Sequence, residues 1–217
     1  MAGPPAAHHQ RHRRRTTQYR LKKLFMLLPE LILASTSPYR KALLQRLQIP
    51  FRCVASQVDE SPLPEETPEQ LVARLALAKA QAVLASHPEA LVIGADQMAY
   101  CAGRVLGKPE SVARAEEQLQ WMQGRRVEYL NGIAIADASG AEQFIVPYSL
   151  TLRALSPEDI RRYIEKDQPL DCAGSLRSEG LGISLLEKME GADPNALMGM
   201  PLLTISEVLR RRGYALP

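Results

Sequence analysis

The stretch 31–47 constrains the fold most, because it predicts a strand, a tight turn and a helix in direct succession. A short apolar run leads into the polar loop 35–37 and then into Pro38, which suits the first helical turn after a good N-cap residue. Arg40 and Lys41 stand in that first turn, where the helix dipole disfavours cations. Free N–H groups, hydroxyls and cations at a helix start favour an anion site. The alternative is an ordinary turn whose basic residues face water.

The rest of the chain alternates strands with helices, which predicts an α/β fold with antiparallel additions. The apolar patterns predict strands at 31–34, 51–55, 90–95, 127–136 and 143–152, and a short hairpin over 98–106. They predict helices at 38–48, 67–86, 111–122, 156–166 and 201–212, the second of them starting with a capping box at Thr67 and Gln70. Residues 56–66 form an acidic loop, and 173–186 are predicted to be irregular.

The net charge of +3 is unevenly distributed. Seven of the 27 Lys and Arg residues lie in 1–25, which hold no acidic residue, so the remainder carries 20 basic and 24 acidic side chains, a net of −4. We therefore expect residues 26–217 to form a single domain without stable nucleic-acid binding. We expect residues 1–25 to be a disordered basic extension, either a sequence upstream of a start at Met26, which we prefer, or a basic arm or targeting peptide.

Several familiar site types are absent from the sequence. No run approaches the roughly 20 apolar residues of a membrane span, and three cysteines match no zinc or redox spacing, which favours reduced thiols in the cytoplasm. The chain also lacks a phosphate-binding Walker loop, a dinucleotide-binding glycine pattern and a nucleophile elbow.

Four polar positions could carry chemistry, although each has a plainer interpretation. Asp96 ends a buried run, where α/β sheets bind ligands, but it could simply cap a turn. Lys79 lies at the margin of the apolar stripe of its helix and could be a lysine with its stem on the core. Lys108 stands between Gly and Pro on a stiff loop, and Glu60 follows Asp59 in the acidic loop.

Together these residues suit the hydrolysis of a phosphate ester or anhydride. In such reactions a metal and cations neutralise charge while a carboxylate orients water. Adjacent loop carboxylates such as Asp59 and Glu60 can bind a hard cation together with substrate phosphates.

The order of the motifs resembles that of the Maf (septum formation inhibitor) family over residues 30–212. The matching segments are 31–40, Val58-Asp-Glu60, 74–80, Ile93-Gly-Ala-Asp-Gln97, Gly107-Lys-Pro109, Asp171-Cys-Ala-Gly-Ser175, Ser178-Glu-Gly180 and 198–202. The family resemblance implies an elongated, mixed-sheet α/β fold similar to inosine triphosphate pyrophosphatases, with two lobes around a deep cleft. It also implies a divalent cation, Mg²⁺ or Mn²⁺, and a homodimer.

The resemblance implies a nucleoside triphosphate pyrophosphatase that releases a monophosphate and diphosphate. It assigns Asp96 as the group that activates water and Glu60 as a metal ligand. It implies phosphate contacts for Ser35, Arg40, Lys79 and Lys108.

Base selection in the family varies at three positions, occupied here by Tyr39, Gln97 and Glu179. This trio resembles the subgroup that prefers 7-methyl-GTP, whose activity would keep modified nucleotides out of nucleic acids. Methylation at N7 puts positive charge on the guanine ring, which favours an aromatic face such as Tyr39 and a carboxylate such as Glu179. There are two alternatives. The protein could cleave dTTP, UTP or CTP instead, or it could be a nucleotide-binding regulator of septum formation. One departure is the segment Tyr129-Leu-Asn-Gly132, because many members carry Tyr-Thr-Gly before the long antiparallel strand.

Overall fold

The computed structural model describes residues 28–217, so the basic segment 1–25 lies outside the described residues. Within this range a seven-stranded mixed sheet is combined with five α-helices, which confirms the α/β class. None of the helices in this range is both long enough and apolar enough to cross a membrane. Cys53, Cys101 and Cys172 are free thiols.

The elements follow the chain in an alternating order. The strands are β1 (Leu31–Leu33), β2 (Arg52–Cys53), β3 (Leu91–Cys101), β4 (Arg104–Leu106), β5 (Arg126–Asp137), β6 (Gly140–Leu152) and β7 (Leu186–Glu190). The helices are α1 (Pro38–Gln45), α2 (Pro68–Ser86), α3 (Val112–Met122), α4 (Pro157–Asp167) and α5 (Leu202–Arg211). Short 3₁₀ turns occur at Ala173–Ser175, Leu181–Leu185 and Pro194–Met198.

The sheet has a parallel half and an antiparallel half. Its order is β2-β1-β3-β5-β6-β7, with β4 paired to β3. Strands β2, β1 and β3 are parallel, with Leu33 opposite both Cys53 and Ile93. Their carboxyl ends therefore meet at one edge of the sheet, where α/β proteins collect functional side chains.

Strand β3 differs from the sequence prediction. The expected strand 90–95 and the first arm of the expected hairpin 98–106 form one strand, Leu91–Cys101, which continues through Asp96. The hairpin itself forms as predicted, because β4 pairs with the end of β3. The long partner β5 explains the continuity, because it pairs with β3 from Val92 to Tyr100. Asp96 therefore lies in the middle of a strand, although the parallel neighbour β1 has already ended at Leu33.

Strand β7 and the turn Pro194–Met198 were not predicted from the sequence. In β7 the side chains 187–189 are exposed, so the apolar alternation that marks a half-buried strand is missing. The strand forms because it pairs with the edge of β6. The hairpin between β5 and β6 turns at 138–139, as predicted.

The two faces of the parallel half are covered by different helices. Leu31, Leu33, Leu91 and Ile93 belong to the core cluster that contains the buried residues of α1 and α5. The alternating positions, such as Ile32 and Val92, belong to the cluster that contains Ala76, Ala80 and Val83 of α2. A strand residue with an even number in β3 therefore faces α2, because successive side chains point to opposite faces.

Helix α2 lies unusually close to the sheet. Its capping box is formed as predicted, with Gln70 N–H donating to Thr67 Oγ1 over 3.2 Å and Thr67 N–H donating to Gln70 Oε1 over 2.9 Å. A Cβ placed on Gly94 would lie 2.1 Å from the Ala76 carbonyl oxygen, and one on Gly132 would lie 2.0 Å from the Val72 carbonyl oxygen. Glycine at both positions permits this backbone contact.

We predict that Gly132→Ala destabilises the protein by about 1–3 kcal/mol, because the new methyl group must displace the backbone of α2. Thermal unfolding followed by circular dichroism measures the loss. Gly107→Ala is the matched control, because its Cβ would meet nothing within 4 Å. Equal melting temperatures for the two variants would contradict the close contact.

Candidate functional site

Three predicted site residues converge at the edge where the parallel strands end. Ser35 follows β1 by two residues, Glu60 lies in the loop beyond β2, and Asp96 lies in β3 just past the end of β1. Because the three strands are parallel and adjacent, residues far apart in sequence reach the same edge of the sheet.

A buried lysine connects the two acids. Lys79 Nζ donates to Asp96 Oδ1 over 2.7 Å and lies 2.8 Å from Glu60 Oε1. Lys79 is only 5% exposed and Asp96 only 9% exposed. Asp96 points to α2 because it shares a strand face with Gly94, and the close approach of α2 brings Lys79 to it. A buried charge of this kind is tolerated only when it is paired.

Burial makes the Asp96 carboxylate a stronger base than an exposed one. Desolvation raises the pKa of Asp96 above its ordinary value of 3.8, while the charge and hydrogen bond of Lys79, and the charge of Arg40, oppose the rise. A carboxylate with a raised pKa accepts a proton more readily, and such groups cluster at functional sites.

Arg40 joins the same cluster electrostatically. Burial lowers the pKa of Arg40, whereas the charges of Asp96 and Glu60 raise it. Its Nε donates to the Gly199 carbonyl oxygen over 3.2 Å. The guanidinium is thereby held between the acids and Gly199, the residue that ends the turn Pro194–Met198.

Gln97 faces the opposite side of β3 from Asp96. Its Nε2 donates to the carbonyl oxygens of Ala196 and Leu197 over 2.9 and 3.0 Å. Gln97 and Arg40 therefore bind the same turn, a feature that sequence reasoning missed because all three acceptors are backbone carbonyl oxygens, which no residue type marks.

Asn131 lies opposite Gln97 in the register of β3 and β5. It is fully buried, and its Nδ2 donates to the Val146 carbonyl oxygen over 3.0 Å. Its Oδ1 has no hydrogen-bond partner among the described residues. Residues directly opposite each other on paired strands share a face of the sheet, so this polar atom lies on the same face as Gln97.

The loop before α1 is organised by its serines. Ser37 caps α1 by accepting from Arg40 N–H over 3.4 Å, and Ser37 N–H donates to Ser35 Oγ over 3.2 Å. The Ser35 hydroxyl therefore accepts a bond from the loop and keeps its own O–H as a donor.

Tyr39 makes a separate contact with the segment after α4. Its hydroxyl donates to Asp171 Oδ2 over 2.7 Å, and Arg177 Nη2 donates to Asp171 Oδ1 over 3.1 Å. The hydrogen bond to Asp171 raises the pKa of Tyr39 to about 12. Glu179, two residues beyond Arg177, is exposed and accepts from the Ser178 hydroxyl over 3.4 Å.

Lys108 lies in an exposed loop after β4. The neighbouring Gly107 carbonyl oxygen accepts from Gly174 N–H over 3.2 Å and from Gln118 Nε2 over 3.1 Å. These bonds attach the loop to the turn Ala173–Ser175. Lys108 therefore belongs to the same side of the structure as the Tyr39 contact, because Asp171 precedes that turn by two residues.

The donor set suits a hard divalent cation that is shared with a substrate. In residues 28–217 no group of three or more His, Cys, Asp or Glu side chains forms a metal centre. The carboxylates of Glu60 and Asp96 both reach Lys79 Nζ, so they lie near one another. Mg²⁺ typically takes one or two carboxylates and completes its shell with water and phosphate oxygens. The residues present fit that requirement.

Asp171 and Arg177 are further polar residues of the site that sequence reasoning left without a role. Asp171 belongs to the motif Asp171-Cys-Ala-Gly-Ser175, which was part of the resemblance. The motif marks the segment, but the partner Tyr39 lies 132 residues away and becomes visible only in the fold.

Curated relatives cover nearly the whole chain. A protein of Alkalilimnicola ehrlichii named 7-methyl-GTP pyrophosphatase is 50% identical over 190 residues, which are 87% of this chain and 96% of the relative. Proteins of the same name from Aromatoleum aromaticum and Nitrosococcus oceani are 47% and 46% identical, over 88% and 86% of this chain and 100% and 94% of theirs.

Among solved structures, the Ham1 protein of Staphylococcus aureus has a TM-score of 0.39 and 19% identity, over 57% of this chain and 71% of its own. This TM-score is too low to support a conclusion about the chain. The family described as Maf-like protein, in contrast, matches residues 30–212. This match, together with relatives that are 46–50% identical over most of their own length, shows that the chain belongs to the Maf family.

Proposed function

We propose that the protein is a nucleoside triphosphate pyrophosphatase that hydrolyses 7-methyl-GTP to 7-methyl-GMP and diphosphate. The observation that carries the proposal is the buried Lys79–Asp96 pair at the edge of the parallel strands, with Glu60 and Arg40 beside it. Three relatives that are 46–50% identical and named 7-methyl-GTP pyrophosphatase support the choice of substrate.

In this proposal Asp96 acts as the general base. It accepts a proton from a water molecule whose oxygen forms a bond to the α-phosphorus. The bond from that phosphorus to the α–β bridging oxygen breaks, and diphosphate leaves with the bonding electrons. The buried position of Asp96 raises its pKa and so favours proton acceptance, while the charge and hydrogen bond of Lys79 favour the ionised carboxylate.

Cations and one hydroxyl bind the phosphates. An ammonium group has three N–H donors, and Lys79 directs two of them to Asp96 and Glu60, so one is left for a phosphate oxygen. Arg40 is oriented by Gly199, and Ser35 keeps its O–H as a donor. Lys108, in its exposed loop after β4, supplies a further positive charge for the phosphates.

A divalent cation, Mg²⁺ or Mn²⁺, would be held by Glu60, with Asp96 near it. When bound, it neutralises charge on the phosphates and on the leaving group. Glu60 is well suited to this role because it lies in an exposed loop and is anchored by Lys79 rather than buried.

Tyr39, Gln97 and Glu179 select the base. A guanine ring methylated at N7 carries positive charge, which is attracted to the face of Tyr39 and to the carboxylate of Glu179. Because Gln97 Nε2 is engaged with Ala196 and Leu197, its Oε1 is the atom that can accept from the base.

We further propose that residues 26–217 act as one domain, which includes the whole family match of 30–212. The proposed substrate favours a cytoplasmic location, since nucleoside triphosphates are held there, and the net charge of −4 favours no stable binding to nucleic acid. A homodimer remains a proposal that rests on the family.

The position of the cut tests the proposal. We expect the full chain with Mg²⁺ to convert 7-methyl-GTP into monophosphate and diphosphate, with higher kcat/KM than for GTP, dTTP, UTP or CTP. Chromatography of the products identifies the bond that was cut. Orthophosphate with a nucleoside diphosphate would exclude α–β cleavage. A preference for a pyrimidine nucleotide would support pyrophosphatase activity but contradict 7-methyl-GTP as the substrate. Weak turnover of every nucleotide would favour a nucleotide-binding regulator.

Asp96→Asn should lower kcat by roughly 10²–10⁴-fold, because the amide cannot accept the proton, while nucleotide binding persists. Glu89→Gln, on the exposed surface, is the control. Turnover that survives in Asp96→Asn would rule out the base assigned here.

The wild-type protein should lose kcat/KM as the pH falls through the pKa of Asp96, because the protonated acid cannot accept a proton from water. Burial raises that pKa, so the loss is expected at a pH above the ordinary value of 3.8, and a pH profile of kcat/KM measures it.

Glu179→Gln should reduce the ratio of kcat/KM for 7-methyl-GTP to that for GTP by roughly 3–10-fold, because a neutral amide no longer complements the cationic ring. The exposed Glu187→Gln is the matched control, since it removes the same charge in β7. Steady-state kinetics with both nucleotides measures the ratio. An unchanged ratio in Glu179→Gln would remove Glu179 from the base site.

A further inference from the structure

Tyr39 is anchored across the molecule by a short hydrogen bond. Its hydroxyl donates to Asp171 Oδ2 over 2.7 Å, although the two residues are 132 positions apart. Tyr39 lies in the first turn of α1, next to Arg40, whereas Asp171 lies in the segment between α4 and the turn Ala173–Ser175. The contact therefore joins the phosphate-binding end of α1 to a distant loop.

Arg177 holds Asp171 from the other side. Its Nη2 donates to Asp171 Oδ1 over 3.1 Å, and its Nη1 donates to the Asp167 carbonyl oxygen over 2.9 Å. The backbone N–H of Arg177 donates to the buried Tyr163 hydroxyl over 2.9 Å. Asp171 is exposed, but its carboxylate is oriented by an arginine that is itself bound to the end of α4.

The same arginine begins the turn that carries Glu179. Gly180 N–H donates to the Arg177 carbonyl oxygen over 3.2 Å. A Cβ on Gly180 would lie 2.8 Å from Asp167 Oδ1, so the turn is seated closely against the end of α4. Tyr39 and Glu179 are thus connected through Asp171 and Arg177.

We propose that Asp171 is a positioning residue for base selection, which holds the Tyr39 ring in a fixed orientation beside the Glu179 turn so that the two receive a cationic purine together. The inference rests on the proposed function, and it adds a residue outside the three positions already assigned to the base.

The physical effect has two parts. Cation–π attraction depends on the cation lying over the ring face, so a ring held at its hydroxyl loses less conformational freedom when the base binds. A hydrogen bond from the phenol to a carboxylate also increases the electron density of the ring, which strengthens its attraction for a cation. The pKa of Tyr39 is raised to about 12, so the proton that forms this bond stays on the phenol at neutral pH.

A purely structural role for Asp171 predicts a different outcome. Its carboxylate side chain is 56% exposed, and exposed ion pairs such as Asp171–Arg177 contribute little to stability. A structural role would affect both nucleotides equally and would make no use of the Tyr39 hydroxyl. The ratio between a methylated and an unmethylated base therefore separates the two roles.

The test is a double-mutant cycle of Tyr39→Phe and Asp171→Ala in the full chain. We expect each single variant to lower the ratio of kcat/KM for 7-methyl-GTP to that for GTP by roughly 3–10-fold. The double variant should show no further loss, because both changes remove the same hydrogen bond. Glu117→Ala is the control, since it removes an exposed 2.6 Å ion pair with Arg104 elsewhere on the surface.

The outcomes distinguish the inference from the proposed function. A wild-type protein without preference for 7-methyl-GTP would contradict the proposed substrate. A preference that is unchanged in both single variants, an equal loss for the two nucleotides, or additive losses in the double variant would each overturn the role of Asp171. If Asp171→Ala melts below the assay temperature, Tyr39→Phe alone decides, because it removes the hydroxyl and leaves the Asp171–Arg177 pair intact.

Discussion

The close contact between the backbone of α2 and the sheet is the constraint on which the candidate site depends. Gly94 and Gly132 lack the Cβ atoms that would collide with the carbonyl oxygens of Ala76 and Val72. Because the helix can lie this near, Lys79 reaches Asp96 on the adjacent part of the same face. A larger residue at either glycine would move the helix outward and separate the charged pair.

The buried charges are arranged so that each compensates another. Lys79 is paired with two carboxylates, and one of them, Glu60, extends into solvent. Removing charges from water is costly, and a lysine held by two acids offsets that cost while leaving Asp96 with a raised pKa. The two pairs use two of the three N–H donors of Lys79, so the third is the donor that the proposed function assigns to a phosphate oxygen.

Sequence reasoning predicted most of the helices and strands, for identifiable reasons, and it named the charged residues that the fold brings together around Lys79. The capping box of α2 and the turn before α1 depend on local residues, so their patterns were sufficient. Strand β3 was divided wrongly at Asp96, because a charge interrupts the apolar run that local patterns use. Strand β7 was missed because its exposed residues show no period, and pairing with β6 is not a local property. The anchor of Tyr39 was missed because Asp171 is remote in sequence.

The sequence by itself determined the family, the α/β class and the identity of the charged residues, because motifs in a given order and short-range hydrophobic periods are properties of the chain alone. Only the tertiary structure decided which of these residues meet. It joined Lys79 to both Asp96 and Glu60, bound Gln97 and Arg40 to the same turn, and joined Tyr39 to Asp171. These contacts depend on strand order, parallel register and the depth of α2 on the sheet, which are set by packing across the whole domain.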